Sequence, residues 1–169
     1  MIYPIVKYGQ EVLEKPAPAF TRFDGSLEKL VADMFETMYA ATGVGLAAPQ
    51  IGIALNLCVI DASGGKDPGA KMVLANPLVV AADGEQVDEE GCLSLPGFSA
   101  KTRRPLEVTV RAQDLTGKEF TLSGEGLLAR AFCHEIDHLA GKLFISHLSK
   151  LKRESIKRRI RNMVKAGEW

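Results

Sequence analysis

No run of 18 or more apolar residues occurs in the chain, so no stretch reads as a membrane-spanning helix. There is no excess charge of either sign. Twenty-one basic residues balance twenty-one acidic ones, which excludes a molecule that binds polyanions with its whole surface. Cysteine is scarce and odd in number, with three residues at spacings that suggest no disulfide framework. That usage fits a reducing compartment. Cys58 stands in an apolar run and reads as core filler, and Cys133 as packing. The N-terminal stretch Met1–Gly9 lacks a basic start, an apolar core and a small-residue cleavage site, so neither a signal nor a transit peptide is expected and the location reads as cytoplasmic. Residues 43–52 are not a dinucleotide loop, because Ala48 stands where glycine would be needed, and no Gly-Lys-Ser/Thr phosphate loop is present. No internal repeat is visible. What remains is the composition of a globular protein, 46% apolar and 25% charged, at a length that suits one domain over residues 1–169.

Residues 1–23 carry Pro4, Pro16 and Pro18 without a clear period and read as an irregular arm over the surface. Asp24 or Ser26 can cap a helix running to about Thr42, with Leu27, Leu30, Val31, Met34, Phe35 and Met38 at helical spacing and Gly43 placed to end it. The stretch Gly43-Val-Gly-Leu-Ala-Ala-Pro-Gln-Ile-Gly52 is small, apolar and glycine-rich. On pattern alone it reads as a tight loop packed under a helix, although glycines also let a ligand approach the backbone. Leu55–Asp61 reads as a buried strand, Ser63–Gly69 as a surface loop, and Met72–Ala82 as one or two strands broken at Pro77. Asp83-Gly84 is a turn, followed by acidic residues up to Glu90. Leu106–Gln113 alternates as a half-buried strand and pairs back, through the turn at 114–117, with Phe120–Leu122. A helix starts near Gly124. Strands grouped before a helix predict an α+β fold, with antiparallel or mixed sheets packed around that central helix and with an N-terminal and a C-terminal helix flanking it. The last helix, about Ser149–Ala166, carries eight basic residues and one acid, Glu154. It is either a solvated face or a docking surface for a polyanion such as RNA.

Histidine is rare as well, and two of the three stand in His134-Glu135-Ile136-Asp137-His138. On a helix, residues four apart lie about 40° apart around the axis and about 6 Å apart along it. Two imidazoles so placed can hold one metal ion. Glu135 falls on the edge of the same face, within reach of a metal-activated water as a general base. Leu127, Ala131, His134 and His138 form one stripe, and Leu128, Phe132, Ile136 and Leu139 a second, so the helix reads as buried. Its polar residues then need partners inside the fold.

Two histidines leave a catalytic metal one protein ligand short. The metzincin pattern fails, because Phe144 occupies the place of its third histidine. Glu154, the nearest downstream glutamate, lies in the basic helix and fits poorly. Cys92, in Glu89-Glu-Gly-Cys-Leu-Ser-Leu-Pro-Gly97, is the better candidate. A thiolate and two imidazoles make a good tetrahedral set that leaves one position for water.

Gly43-Val-Gly-Leu-Ala-Ala-Pro-Gln50, Glu90-Gly-Cys-Leu-Ser94 and His134-Glu-Ile-Asp-His138, in this order and spacing, resemble peptide deformylase. That family removes the N-formyl group from new bacterial polypeptides, and its length fits the chain end to end. The resemblance implies Cys92, His134 and His138 as metal ligands and Glu135 as general base. It implies the Gln50 amide and the Leu93 backbone N–H as oxyanion donors. Gly45 would pair with the substrate backbone. Val44, Glu90, Gly91, Arg130 and Ala131 would line the substrate site. It implies one divalent ion, Fe²⁺ first, with Zn²⁺, Ni²⁺ or Co²⁺ able to occupy the site. It implies formyl-methionyl nascent peptides as substrate, a monomer, no membrane, and ribosome docking through the basic C-terminal helix of a cytoplasmic bacterial enzyme. Two rivals stay open on the residues: an HExxH endopeptidase, and a non-enzymatic domain with a closed metal site or a buried polar cluster. A fourth protein ligand would favour the latter, and His147 follows the helix too soon to supply it.

Overall fold

The spacing of apolar residues after Asp24 does form a helix, α1 (Gly25–Ala40), in the computed structural model, which describes residues 1–169. Asp24 caps it by accepting from the Ser26 N–H at 2.9 Å. Leu27, Val31, Met34, Phe35 and Met38 are all buried. The helix stops short of Gly43. Ala41 closes the last turn, and Thr42, with φ of 56°, takes the left-handed position that glycine was expected to fill.

Five strands make one antiparallel sheet: β1 (Gly45–Ala47), β2 (Leu57–Ile60), β3 (Met72–Asp83), β6 (Glu107–Gln113) and β7 (Glu119–Glu125), in the order β1-β2-β3-β6-β7. In β2 every residue is buried, but the two faces meet different helices. Leu57 and Val59 pack with α1, whereas Cys58 and Ile60 pack with Ala129, Phe132 and Leu139 of α2 (Leu127–Leu139). A period-two strand between two helices therefore puts α1 on one face of the sheet and α2 on the other. Phe132 has no exposed surface, and burying a side chain of that size contributes about 1.5–3 kcal/mol. Cys58 is core filler as expected, Cys133 packs partly buried against the same cluster, and all three cysteines are unpaired.

Several local expectations give way. Pro77 does not break β3. A register shift absorbs it, since Ala75 faces Gln113 but Leu78 faces Arg111. Residues 43–52 are not simply a loop, because they hold β1 and a 3₁₀ turn at Ala48–Ile51. The acidic stretch up to Glu90 and the segment after Gly97 are paired strands, β4 (Gln86–Gly91) and β5 (Ser99–Arg104). Both lacked an apolar alternation because the positions they bury in full are Glu90, Thr102 and Arg104.

The arm is less superficial than its prolines suggest. Leu13 is fully buried. The backbone N–H of Val6 donates to Gln50, that of Tyr8 to Ser94 and that of Ala17 to Leu139, each at 2.8–2.9 Å. The arm thus ties three sequence-distant segments together. Gly141, with φ of 79°, lets α2 end against it, since a Cβ there would meet the backbone of Lys15 at 2.8 Å. The C-terminal helix α3 (Lys150–Lys165) is capped by Ser149 and buries Ile156 and Ile160 against Leu95, Phe98 and Phe144. The Trp169 indole N–H donates to the Tyr8 carbonyl at 2.9 Å, and its ring meets Phe98 edge-on. The chain's last residues therefore brace both the arm and the segment that follows Cys92.

Candidate metal centre and cleft

Helix α2 enters the fold between β7 and the loop after Gly141, so the 134–138 motif lies in its last two turns. One face of α2 is tied to the sheet by Phe132 and Leu139, and this aims His134, Glu135 and His138 at the segment following β4. That segment carries Cys92. Its conformation is held by Ser94, whose carbonyl accepts from Tyr8, and by the fully buried Leu95.

The donor atoms of Cys92, His134 and His138 all lie within 4.8 Å of one another. Cys92 Sγ is 3.2 Å from His138 Nε2, and the two Nε2 atoms are 3.1 Å apart. His134 directs Nδ1 to Glu90 Oε2 at 2.7 Å, so that nitrogen carries the proton and Nε2 presents a lone pair to the centre. Ligand bonds of about 2.0–2.3 Å at tetrahedral angles place N···N near 3.3 Å and S···N near 3.5 Å. These two spacings are a few tenths of an ångström shorter, the third pair lies within 4.8 Å, and the donor set suits a borderline divalent ion. The group contains three donors and no fourth, as an open coordination position requires. His147 turns away, with Nε2 at 2.7 Å from Asp137 Oδ2.

Glu135 is 3% exposed, and its Oε2 has no hydrogen-bond partner in the protein. Burial pushes its carboxyl up to about 7. Its other oxygen lies against Gly45, where a Cβ would stand 2.6 Å from Oε1. This close approach is the physical reason for glycine at 45. Gln50 is equally buried. Its Oε1 accepts from the Ala47 N–H at 3.0 Å, and this fixes the amide so that Nε2 faces Cys92 Sγ at 3.6 Å and Ser94 Oγ at 3.3 Å. The Leu93 N–H donates to no acceptor in the protein.

Val44, Gly45, Gln50, Glu90, Gly91, Cys92, Leu93, Arg130, Ala131, His134 and Glu135 line one cavity of about 330 Å³, together with Thr42, Gly43, Glu89 and Leu127. All the expected site residues except His138 are thus on its wall, and His138 reaches it through Cys92 and His134. Leu127, expected on a buried stripe, is 52% exposed at its rim. Glu90 was expected among the substrate contacts. It lines the cavity, but its oxygens also accept from Arg104 at 2.6 and 3.0 Å and from Arg130 at 2.8 Å. Burial opposes its ionisation, yet the hydrogen bonds from His134 and Arg104 hold the carboxyl well below the usual range. Arg104 continues to Asp137 at 2.7 Å. Arg104 had no sequence signal beyond its type, because the pairing of β4 with β5 is what brings it to Glu90. Removing Arg104 as Ala leaves a buried carboxylate short of a partner, and a loss of about 3–5 kcal/mol in denaturant unfolding is expected. A change under about 0.5 kcal/mol, the range of an ordinary surface substitution, would show that the network does not hold this region.

A family model described as polypeptide deformylase matches residues 2–154. A peptide deformylase of Acidobacterium capsulatum is 56% identical over 169 residues, covering 100% of this chain and 99% of that one. One from Thermodesulfovibrio yellowstonii is 46% identical over 160 residues, 95% of this chain and 97% of the relative. The crystal structure of a peptide deformylase from Legionella pneumophila superposes with a TM-score of 0.90 at 47% identity, covering 99% and 98% of the two chains. That from Thermus thermophilus superposes with 0.89 at 40% identity, covering 99% and 98%.

Proposed function

The chain belongs to the peptide deformylase family and is an enzyme, and we propose that it removes the N-formyl group from the formyl-methionine that begins nascent polypeptides, releasing formate. The observation that carries this reading is the convergence of the Cys92, His134 and His138 donors beside the buried carboxylate of Glu135. We read residues 1–169 as one catalytic domain. Cys92, His134 and His138 would hold one divalent ion, Fe²⁺ in the first place, with Zn²⁺, Ni²⁺ or Co²⁺ able to replace it. The bound ion supplies Lewis acidity to water and to the formyl oxygen.

The remaining chemistry falls to the protein. Glu135 takes a proton from the attacking water and returns it to the leaving amine. The Gln50 Nε2 and the Leu93 N–H donate to the oxygen that gains charge on the formyl carbon. The Gln50 amide is buried and held by Ala47, and losing one oxyanion donor costs about 10²–10³ in kcat. The edge of β1 not paired with β2 offers the backbone of Gly45 to the peptide as an added strand. Val44, Leu93, Leu127 and Ala131 supply apolar wall for the methionine side chain. Glu90 keeps the His134 proton on Nδ1, away from the centre. Oxidation of Cys92 would destroy the ligand set.

The direct test is formate release from a short formyl-methionyl peptide, with oxygen excluded and metal counted in the same sample. Release in proportion to metal, abolished by a chelator, is expected. Fully metallated protein that releases none, or that cuts the same peptide internally, would overturn the reading.

Contact with the ribosome through α3 is part of the proposal. Six of its eight basic residues are exposed, and its one acid reaches Lys157 only at 4.0 Å. A variant neutralised at Arg158, Arg159 and Arg161 is expected to lose salt-sensitive ribosome binding and keep its activity on short peptides. Unchanged sedimentation with ribosomes would reduce α3 to a solvated face.

A further inference from the structure

We infer that a cavity beyond Gly43 is a second recognition subsite of this cleft, taking an acidic side chain at the third or fourth residue of the formylated peptide, with Lys71 as its counter-charge. The inference rests on the proposed deformylation.

The cavity has a volume of about 550 Å³ and is walled by Tyr39, Thr42, Gly43, Gly64, Gly65 and Lys71, with Pro68 at its side. It shares Thr42 and Gly43 with the cleft that holds Cys92 and Glu135, so the two lie side by side along the backbone leading into β1. A peptide whose formyl end lies at Glu135 starts beside Gly45, which touches that carboxylate. The other end of β1 is closed by Ala47, Ala48 and Gln50, all buried. The peptide must therefore leave toward Gly43 and Thr42, antiparallel to β1. An extended chain advances about 3.3–3.4 Å per residue. The step from Gly45 to Thr42 spans three residues, which brings the third or fourth peptide residue onto the shared wall.

Charge in this second cavity is uneven. The carboxylates of its loop are already engaged. Asp61 accepts from the Ser63 N–H at 2.9 Å, the Ser63 hydroxyl at 2.6 Å, the Gly65 N–H at 3.2 Å and the Tyr39 hydroxyl. Asp67 accepts from the Gly69 N–H at 2.9 Å. Lys71 makes no ion pair within 4.0 Å. Its ammonium instead stands 5.1 Å from the ring centre of Phe35 and 5.7 Å from that of Tyr39. Two aromatic faces hold it in place at the cavity wall without neutralising it. A carboxylate arriving there meets a cation that is already positioned and lacks a partner.

The test uses C-terminally amidated peptides, formyl-Met-Ala-X-Ser-Ala and formyl-Met-Ala-Ser-X-Ala, with X as Glu, Gln or Lys. In one of the two series, kcat/KM for Glu is expected to exceed that for Lys by about 3–5-fold at low salt. The difference should lie in KM and shrink as ionic strength rises. Lys71→Glu is expected to reverse the order while leaving the Gln peptide within about twofold. The same order in wild type and Lys71→Glu, an order indifferent to charge in wild type, or a wild-type preference for Lys would each overturn the subsite. Turnover of the Gln peptide reports on deformylation separately, and if no peptide releases formate both proposals fall together.

Discussion

Replacing Glu135 with Gln is expected to lower turnover of a formyl-methionyl peptide by a factor of about 10²–10⁴ or more while leaving the metal in place. The amide matches the carboxyl in size, so it can take the same place against Gly45. What is lost is the ability to accept a proton, and the two carboxylates hydrogen-bonded around the motif are engaged elsewhere. Glu90 is tied to His134, Arg104 and Arg130, and Asp137 to Arg104 and His147. The variant should also be at least as resistant to denaturant as the parent, since a neutral amide carries less desolvation cost in a site this buried. Metal analysis and steady-state kinetics on one preparation check both halves. Near-normal turnover with full metal would remove Glu135 from the proton-transfer role.

Cys92→Ala is expected to act at the other half of the site. Deleting the thiolate leaves two imidazoles one turn apart on α2, and metal affinity should fall by at least about 100-fold. Activity should fall with it and should partly return when the ion is added in excess. The fold should persist, because the segment around Cys92 is held by other contacts: Tyr8 on Ser94, and Leu95 in the cluster beneath α3. Elemental analysis after dialysis against a weak chelator gives the answer. Stoichiometric metal in the variant would mean that the ion is held by other residues.

The site was legible to very different degrees along the chain. His134, Glu135 and His138 announce themselves because helical spacing is local, and three residues suffice to place both imidazoles on one side. Cys92 could be nominated by its ligand chemistry but not positioned, since 42 residues separate it from His134. Gln50 and Leu93 followed only from resemblance. Nothing in a single amide or a backbone N–H marks it as a donor, and the fixed Gln50 amide depends on a contact with Ala47 that needs the 3₁₀ turn. The polar hairpin of β4 and β5 escaped the reading because its fully buried positions are Glu90, Thr102 and Arg104. An apolar period cannot appear where charge pairing replaces hydrophobic burial.

Local pattern alone therefore determined the α+β class, the three helices, the strand at 57–60 and the face of α2 that carries His134 and His138, because each follows from a period of 2 or 3.6 and from end caps only a few residues away. The tertiary structure decided what surrounds that face. It set which loop delivers Cys92, which carboxylate orients His134, and how near Gly45 comes to Glu135. It also left Lys71 over the rings of Phe35 and Tyr39 without an ion-pair partner. These are contacts between residues dozens of positions apart, and their geometry exists only once the sheet has been closed between α1 and α2.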